Sequence, residues 1–239
     1  MRNANYKALA FGLSEQPMVE LDNGVILQED TARHFVALQK TACESGLALC
    51  AASGFRSYRA QLAIFDAKWA AQRPVLDDHD RPLRRSDYTD EEWLTRILRF
   101  SALPGTSRHH WGTDIDVYDP SLLPNGQALK LVPSEYSEKG CFAALTAWIN
   151  RQIETDSAEG FSRPYDHDRG GVAVEPWHLS YLPQASLLSK WVTPEALIEL
   201  WMQTPDLRPQ CFELVVDRLE SIFDQYVVSK CDLPAVVGR

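Results

Sequence analysis

The stretch SRHHWGTDIDVYD, Ser107 to Asp119, puts two adjacent histidines and three aspartates into one short segment, and EPWH follows at Glu175 to His178. His109, Asp116 and His178 together offer two imidazoles and a carboxylate. Zinc accepts both donor types at about 2.0–2.2 Å, and three protein donors leave a position free for water, as in catalytic zinc sites. Such an ion would bring the pKa of that water to about 7. Glu175, three residues before His178, would sit beside the ion, take the proton from the water and pass it to a leaving amine. Trp177 would pack between the two and hold them in place. Asp114 and Asp116 point to the same side of a strand, so the pattern alone leaves open which of them is the ligand. His34, His79, His110 and His167, with Asp114, are assigned to structural or solvated places.

The elements that must position these groups are legible in part. EDTARHFVALQKTACESG reads as a helix, with Phe35, Leu38 and Ala42 at helical spacing and Gly46 as its stop. Leu47 to Ala52 is a short apolar run suited to a buried strand. A second helix carries Leu62, Phe65 and Trp69. The polar segment from Arg73 to Ser86 reads as a loop, and Thr89 with Glu92 forms a capping box before WLTRILRF. TDIDVYD alternates, as a half-buried strand does. GCFAALTAWINRQIE reads as a helix, and GGVAVEPWHLSYLP as a strand stopped or bent at Pro176. Thr193 and Pro194 cap and open a helix, PEALIELWMQ, followed by a second, PQCFELVVDRLESIFDQYVVSK. The fold class is therefore α+β, a small antiparallel sheet flanked by helices. Residues 1–184 form the main domain, and 185–239 a helical C-terminal extension packed on it. The stripes of Leu197, Leu200 and Trp201, and of Leu214, Leu219, Ile222 and Phe223, would pack on that domain or serve a homodimer.

The chain has 239 residues and a net charge of -9. An acidic balance argues against nucleic acid, whose phosphates call for a basic stripe. No run of about 18 apolar residues offers a membrane span. The N-terminus lacks the long apolar stretch of a signal peptide, which gives the expectation of a cytoplasmic protein. Five scattered cysteines, none in a CxxC pair, are expected reduced.

SRHHWGTDID resembles the Ser-x-His-x-x-Gly-x-Ala-x-Asp motif of the VanY-type D-alanyl-D-alanine carboxypeptidases. EPWH is similar to the Glu-x-Trp-His motif of the same zinc peptidases, which include the VanX-type dipeptidases and the Hedgehog domain. SGFRSYRAQ resembles a third family block, PGTS precedes the histidine as in relatives, and GFSRPY looks like the segment between the zinc blocks. The resemblance spans roughly Asp30 to Pro183. It implies a Hedgehog/VanY-type fold with one catalytic zinc held by His109, Asp116 and His178. It further implies Glu175 as general base and Arg56 as the stabiliser of the tetrahedral oxyanion. Ser107 would contact the substrate's carboxylate or backbone, and Gln61 would help hold the peptide. Asp114 stands where the family has Ala. The implied activity is removal of a C-terminal D-amino acid, D-alanine, from peptidoglycan stem peptides. A cytoplasmic member would act as an L,D-carboxypeptidase on recycled tetrapeptide muropeptides. The alternatives are D,D-cleavage of pentapeptide stems and a non-catalytic binding module that keeps the zinc fold. The segment from Arg73 to Phe100 would either roof the cleft or be a surface excursion.

Overall fold

The computed structural model describes residues 2–14 and 18–228. In chain order they form α1 (Arg2–Ala10), β1 (Met18–Glu20), β2 (Ile26–Gln28), α2 (Glu29–Glu44), β3 (Cys50–Ser53), α3 (Tyr58–Trp69), α4 (Asp90–Leu98), β4 (Asp114–Tyr118), α5 (Pro133–Tyr136) and α6 (Ala143–Glu154). Then come β5 (Phe161–Ser162), β6 (His178–Tyr181), α7 (Leu182–Leu188), α8 (Pro194–Gln203), α9 (Phe212–Asp217) and α10 (Leu219–Ile222). The architecture is the expected α+β. Four antiparallel strands run in the order β3-β4-β6-β5, β1 and β2 make a separate hairpin, and helices surround both.

Alternation along β4 sets the layout. Ile115 and Val117 are fully buried in an apolar cluster with Phe35 and Leu38 of α2, Leu145 and Ile149 of α6, and Leu179 of β6. Each such side chain contributes about 1.5–3 kcal/mol on burial. Asp114 and Asp116 therefore face the other side of the sheet. That side is buried too, at 0% and 6% exposure, so β4 is enclosed on both faces rather than half-buried. One face is apolar and the other carries charge.

The second apolar cluster joins both ends of the chain. Phe11, Tyr58 and Phe65, Trp93 and Ile97, Leu197 and Trp201, and Val215, Leu219 and Phe223 pack together. Tyr58 Oη donates to Leu207 O at 2.9 Å and accepts from Trp201 Nε1 at 2.7 Å. The apolar stripes of the C-terminal helices are thus largely consumed inside the chain, leaving Ile198 and Met202 of α8 on its outer side.

Caps fall where expected. Thr89 and Glu92 form the capping box of α4, and Thr193 caps α8. Two expectations change. The strand expected from Gly170 begins only at His178. Before it, Ala173 and Glu175 donate their N–H groups to Arg99 O and Tyr165 O, outside the sheet, and Pro176 has no N–H to give. The long last helix is broken as well. Arg218 leaves helical geometry (φ -118°, ψ 9°) between α9 and α10 and pairs with Glu91, and a π-helical turn, Phe223–Val228, follows. The break lets Val215, Leu219 and Ile222 all reach the core. The end of that expected helix, from residue 229, lies outside the described residues, as does Cys231. Cys43, Cys50, Cys141 and Cys211 are free. Among the described residues, no helix is long and apolar enough to cross a membrane.

Candidate active site

Strand register builds the centre of the site. Asp116 of β4 lies opposite His178 of β6 on one side and Ser53 of β3 on the other. His109 comes from the 3₁₀ turn Arg108–Trp111, which Gly112 ends at φ 67° before β4 starts. A Cβ at Gly112 would sit 3.0 Å from Gln28 N, so this turn needs glycine for both space and handedness. The result is one potential donor atom each from His109, Asp116 and His178, all within 4.8 Å of one another. His109 Nε2 stands 3.5 Å from Asp116 Oδ2, and His178 Nδ1 3.4 Å from Asp116 Oδ1. Tetrahedral arms of 2.0–2.2 Å would put donors about 3.3–3.6 Å apart, so the spacing suits zinc. Glu175 Oε2 is 3.2 Å from His178 Nδ1.

The outward-facing nitrogens of both imidazoles are held. His109 Nδ1 donates to Gly54 O at 2.8 Å, which turns Nε2 inward. At Gly54 a Cβ would meet Ile26 O at 2.5 Å, so only glycine brings this carbonyl so close. His178 Nε2 donates to Asp114 Oδ1 at 2.9 Å, which turns Nδ1 inward. Asp114 therefore lies behind His178, at its outward nitrogen, and Asp116 in front of it. Asp114 also accepts from Arg108 Nε at 2.7 Å, Thr113 Oγ1 at 2.6 Å and Ser180 Oγ at 3.2 Å. Arg108 in turn lies over the Trp111 ring. Ser53 Oγ donates to Asp116 Oδ2. Buried carboxylates in such company hold their charge: burial opposes ionisation, but Arg108 and His178 lower the pKa of Asp114, and His109 and His178 that of Asp116, well below the ordinary value.

The adjacent histidines divide two tasks. While His109 faces Asp116, His110 turns the other way. Its Nδ1 donates to Arg56 O at 2.6 Å, its Nε2 accepts from Gly105 N at 3.2 Å, and its ring stacks on Tyr58. Both nitrogens are used by a neutral ring, in keeping with a pKa lowered to about 4 by burial. Arg56 N donates to His109 O at 3.0 Å, so both histidines clamp the arginine backbone. Its guanidinium donates through Nη1 to Gln61 Oε1 at 2.9 Å. Gln61 is 1% exposed, donates to Ala102 O at 2.7 Å, and lies beneath Arg56 rather than in the cavity wall. Gln61→Leu is expected to free Arg56 and leave two polar partners unpaired, costing about 1–3 kcal/mol of stability. Turnover should fall about tenfold with KM little changed, as for about 1.4 kcal/mol lost in the transition state alone; steady-state kinetics at matched zinc occupancy check it.

These groups open onto a cavity of about 330 Å³ lined by Arg56, Ser107, His109, Asp116, Glu175 and His178. The Ser107 hydroxyl makes no hydrogen bond to the described residues. Arg73, Pro74, Leu76, Asp80 and Phe100 complete part of the wall, so both ends of the segment between the arginine and zinc blocks border the cavity. The remaining histidines lie elsewhere. His34 stacks on Tyr181, and His79 and His167 are exposed. Arg59 is an exposed partner of Asp206.

The donor set fits a cation. Burial works against a charged His178, yet its hydrogen bonds to Asp114, Asp116 and Glu175 raise its proton affinity well above the ordinary histidine value. A divalent ion before Asp116 and Glu175 would answer the same excess of carboxylate charge. Two imidazoles and a carboxylate favour zinc.

Residues 24–184 match the model of VanY, the D-alanyl-D-alanine carboxypeptidase family. The chain belongs to this family. As a VanY-family carboxypeptidase it is an enzyme, and the matched range holds every residue of the site described above. An uncharacterised protein of Haemophilus influenzae is 39% identical over 127 residues, 53% of this chain and 93% of that protein. Two solved VanY-type structures share the fold. VanYB in complex with D-alanine-D-alanine has a TM-score of 0.51 at 22% identity, covering 80% of this chain and 84% of that one. A mutant of the vancomycin-resistance D,D-pentapeptidase VanY in complex with Zn(II) has a TM-score of 0.51 at 21% identity, covering 75% and 90%.

Proposed function

We propose that the chain is a zinc-dependent carboxypeptidase that removes a C-terminal D-amino acid, D-alanine, from peptidoglycan stem peptides. The observation that supports it most is the meeting of His109, Asp116 and His178 with Glu175 and Arg56 at one cavity. Zinc held by the three ligands would supply Lewis acidity, making water acidic and the scissile carbonyl electrophilic. Glu175 then removes the proton from the attacking water as the new C–O bond forms. It returns that proton to the departing amine as the C–N bond breaks. Arg56, fixed by Gln61 and the two histidines, faces the oxyanion that develops between these steps. Ser107 contributes a hydroxyl, paired with none of the described residues, to hold the peptide's carboxylate end. A binding module would need no base and no oxyanion cation, so this combination favours the hydrolase.

For the bond cut we propose the L,D bond of a tetrapeptide stem in the cytoplasmic recycling of muropeptides. Where stem precursors are made, cutting their terminal D-alanine would starve crosslinking, whereas trimming a recycled tetrapeptide gives a reusable tripeptide. The D,D bond of a pentapeptide stem is the second reading, favoured by the family's own description. Incubating the zinc-loaded protein with defined tetrapeptide and pentapeptide muropeptides, and weighing the products, tests both. A tripeptide from the tetrapeptide is the expected product. Shortening of the pentapeptide alone rejects the L,D assignment, and no release of an amino acid from either rejects the enzyme reading.

A further inference from the structure

The chain carries a net charge of -9, yet its catalytic cavity gathers cations. Arg56, Lys68, Arg73, Arg108 and Lys130 line it, against Asp80, Asp116 and Glu175. Arg108 is committed to Asp114, and Arg56 to Gln61 and the reaction centre. Lys68 and Arg73 have no such commitment among the described residues. Neither side chain makes a hydrogen bond or ion pair with any described residue, and Lys68 is half-buried. Lys68 lies on the same face of α3 as Gln61, two turns or about 10 Å further along. Side chains on a helix lean toward its N-terminus, which here is the Arg56 end. Arg73 opens the segment that closes this side of the cavity.

The electrostatics call for an anion. Burial lowers the pKa of Lys68 to about 8, repulsion from Arg73 and Arg56 adds to the effect, and only Glu175 works against it. An ammonium that shares its cavity with two guanidinium groups gains from any carboxylate that enters. A cationic cavity in an acidic protein also draws negatively charged ligands in.

We propose that Lys68 and Arg73 form an anion subsite within the catalytic cavity that binds a carboxylate of the peptide substrate and selects peptides carrying it there. The proposal rests on the carboxypeptidase reading and names what its cavity recognises. Two carboxylates share this chemistry: the C-terminal one of the departing residue, and a side-chain one on a residue before the scissile bond.

The test is equilibrium binding by titration calorimetry in the zinc-loaded full chain carrying Glu175→Ala, which prevents turnover. Three tetrapeptides serve as probes: one with a diaminopimelate at the third position, the same with lysine there, and the first as its C-terminal amide. Lys68→Met keeps the buried aliphatic stem and removes the charge. It is expected to weaken the diaminopimelate peptide about tenfold to a hundredfold, as for the loss of a charged hydrogen bond. Lys68→Arg should restore most of this, and Arg73→Gln should give a smaller loss. The penalty should vanish for one probe only, the lysine peptide if the side-chain carboxylate is bound and the amide if the terminal one is. An equal penalty on all three peptides, or none, overturns the subsite. Succinate separates this from the functional reading. If no stem peptide binds but succinate does, and Lys68→Met abolishes it, the peptide reading falls and the anion subsite stands. If neither binds, both fall.

Discussion

Glu175→Ala should lower kcat by about 10²–10⁴-fold, the range for a positioned general acid–base, while the protein keeps its zinc. The position of the side chain fits this role. It is 13% exposed in the cavity wall, and its Oε2 is 3.2 Å from His178 Nδ1, on the side where the ion would lie. Among the described residues its side chain pairs with His178 alone, so Tm should stay within a degree or two, as for substitutions off the core (±0.5 kcal/mol, about 1–2 °C at this chain length). Because Glu175 acts on the water and the leaving amine, KM should change little. Metal content by atomic absorption and kcat from D-alanine release give the two readouts. Loss of zinc together with activity would make Glu175 a ligand, and full activity would remove it from the chemistry.

Asp114→Ala should harm both folding and metal binding. Asp114 is fully buried and answers the charge of Arg108, whose side chain is 4% exposed. Removing one partner of a buried ion pair leaves the other uncompensated and costs about 3–5 kcal/mol. For a chain of this length that is a fall in Tm of roughly 6–20 °C. Asp114 also fixes the orientation of His178, and loss of such a partner lowers metal affinity about 10–100-fold. Asp114→Asn keeps the acceptor for Arg108 and should fall between wild type and Ala in both respects. Calorimetric unfolding and competition with a zinc chelator measure the two effects. An unchanged Tm would mean that Arg108 finds another partner, and unchanged zinc affinity that His178 is held by β6 alone.

How much of this was legible in the sequence depended on whether the signal was local. The alternation of Asp114 to Tyr118 placed two carboxylates on one side of a strand, and that side is where the site lies. The pattern could not separate Asp114 from Asp116, because both face the same way. Only the partners decide: His178 and Ser53 oppose Asp116, while Arg108 and Ser180 meet Asp114. Arg108, between Ser107 and His109, carries no signal of its own, since nothing local shows a buried ion pair. The β1–β2 hairpin was missed although Asn23-Gly24 is a turn signal, because each strand has only three residues. The last helix read as continuous because its apolar spacing is helical throughout. Its break at Arg218 answers to the shape of the core and to Glu91 on α4, which are remote in sequence. Gln61 and Lys68 show the same limit. One helix face carries both, yet the first supports Arg56 from below and the second lines the cavity.

The proposed hydrolysis requires one cation held by His109, Asp116 and His178 with a face left open. A crystal grown with zinc and measured at the zinc absorption edge tests this most directly. A single anomalous peak is expected in the cavity, bonded to His109 Nε2, an Asp116 oxygen and His178 Nδ1, with Glu175 beside it and unbound. A peak bonded to Asp114 instead, or one whose fourth position is filled by a protein side chain, would contradict it.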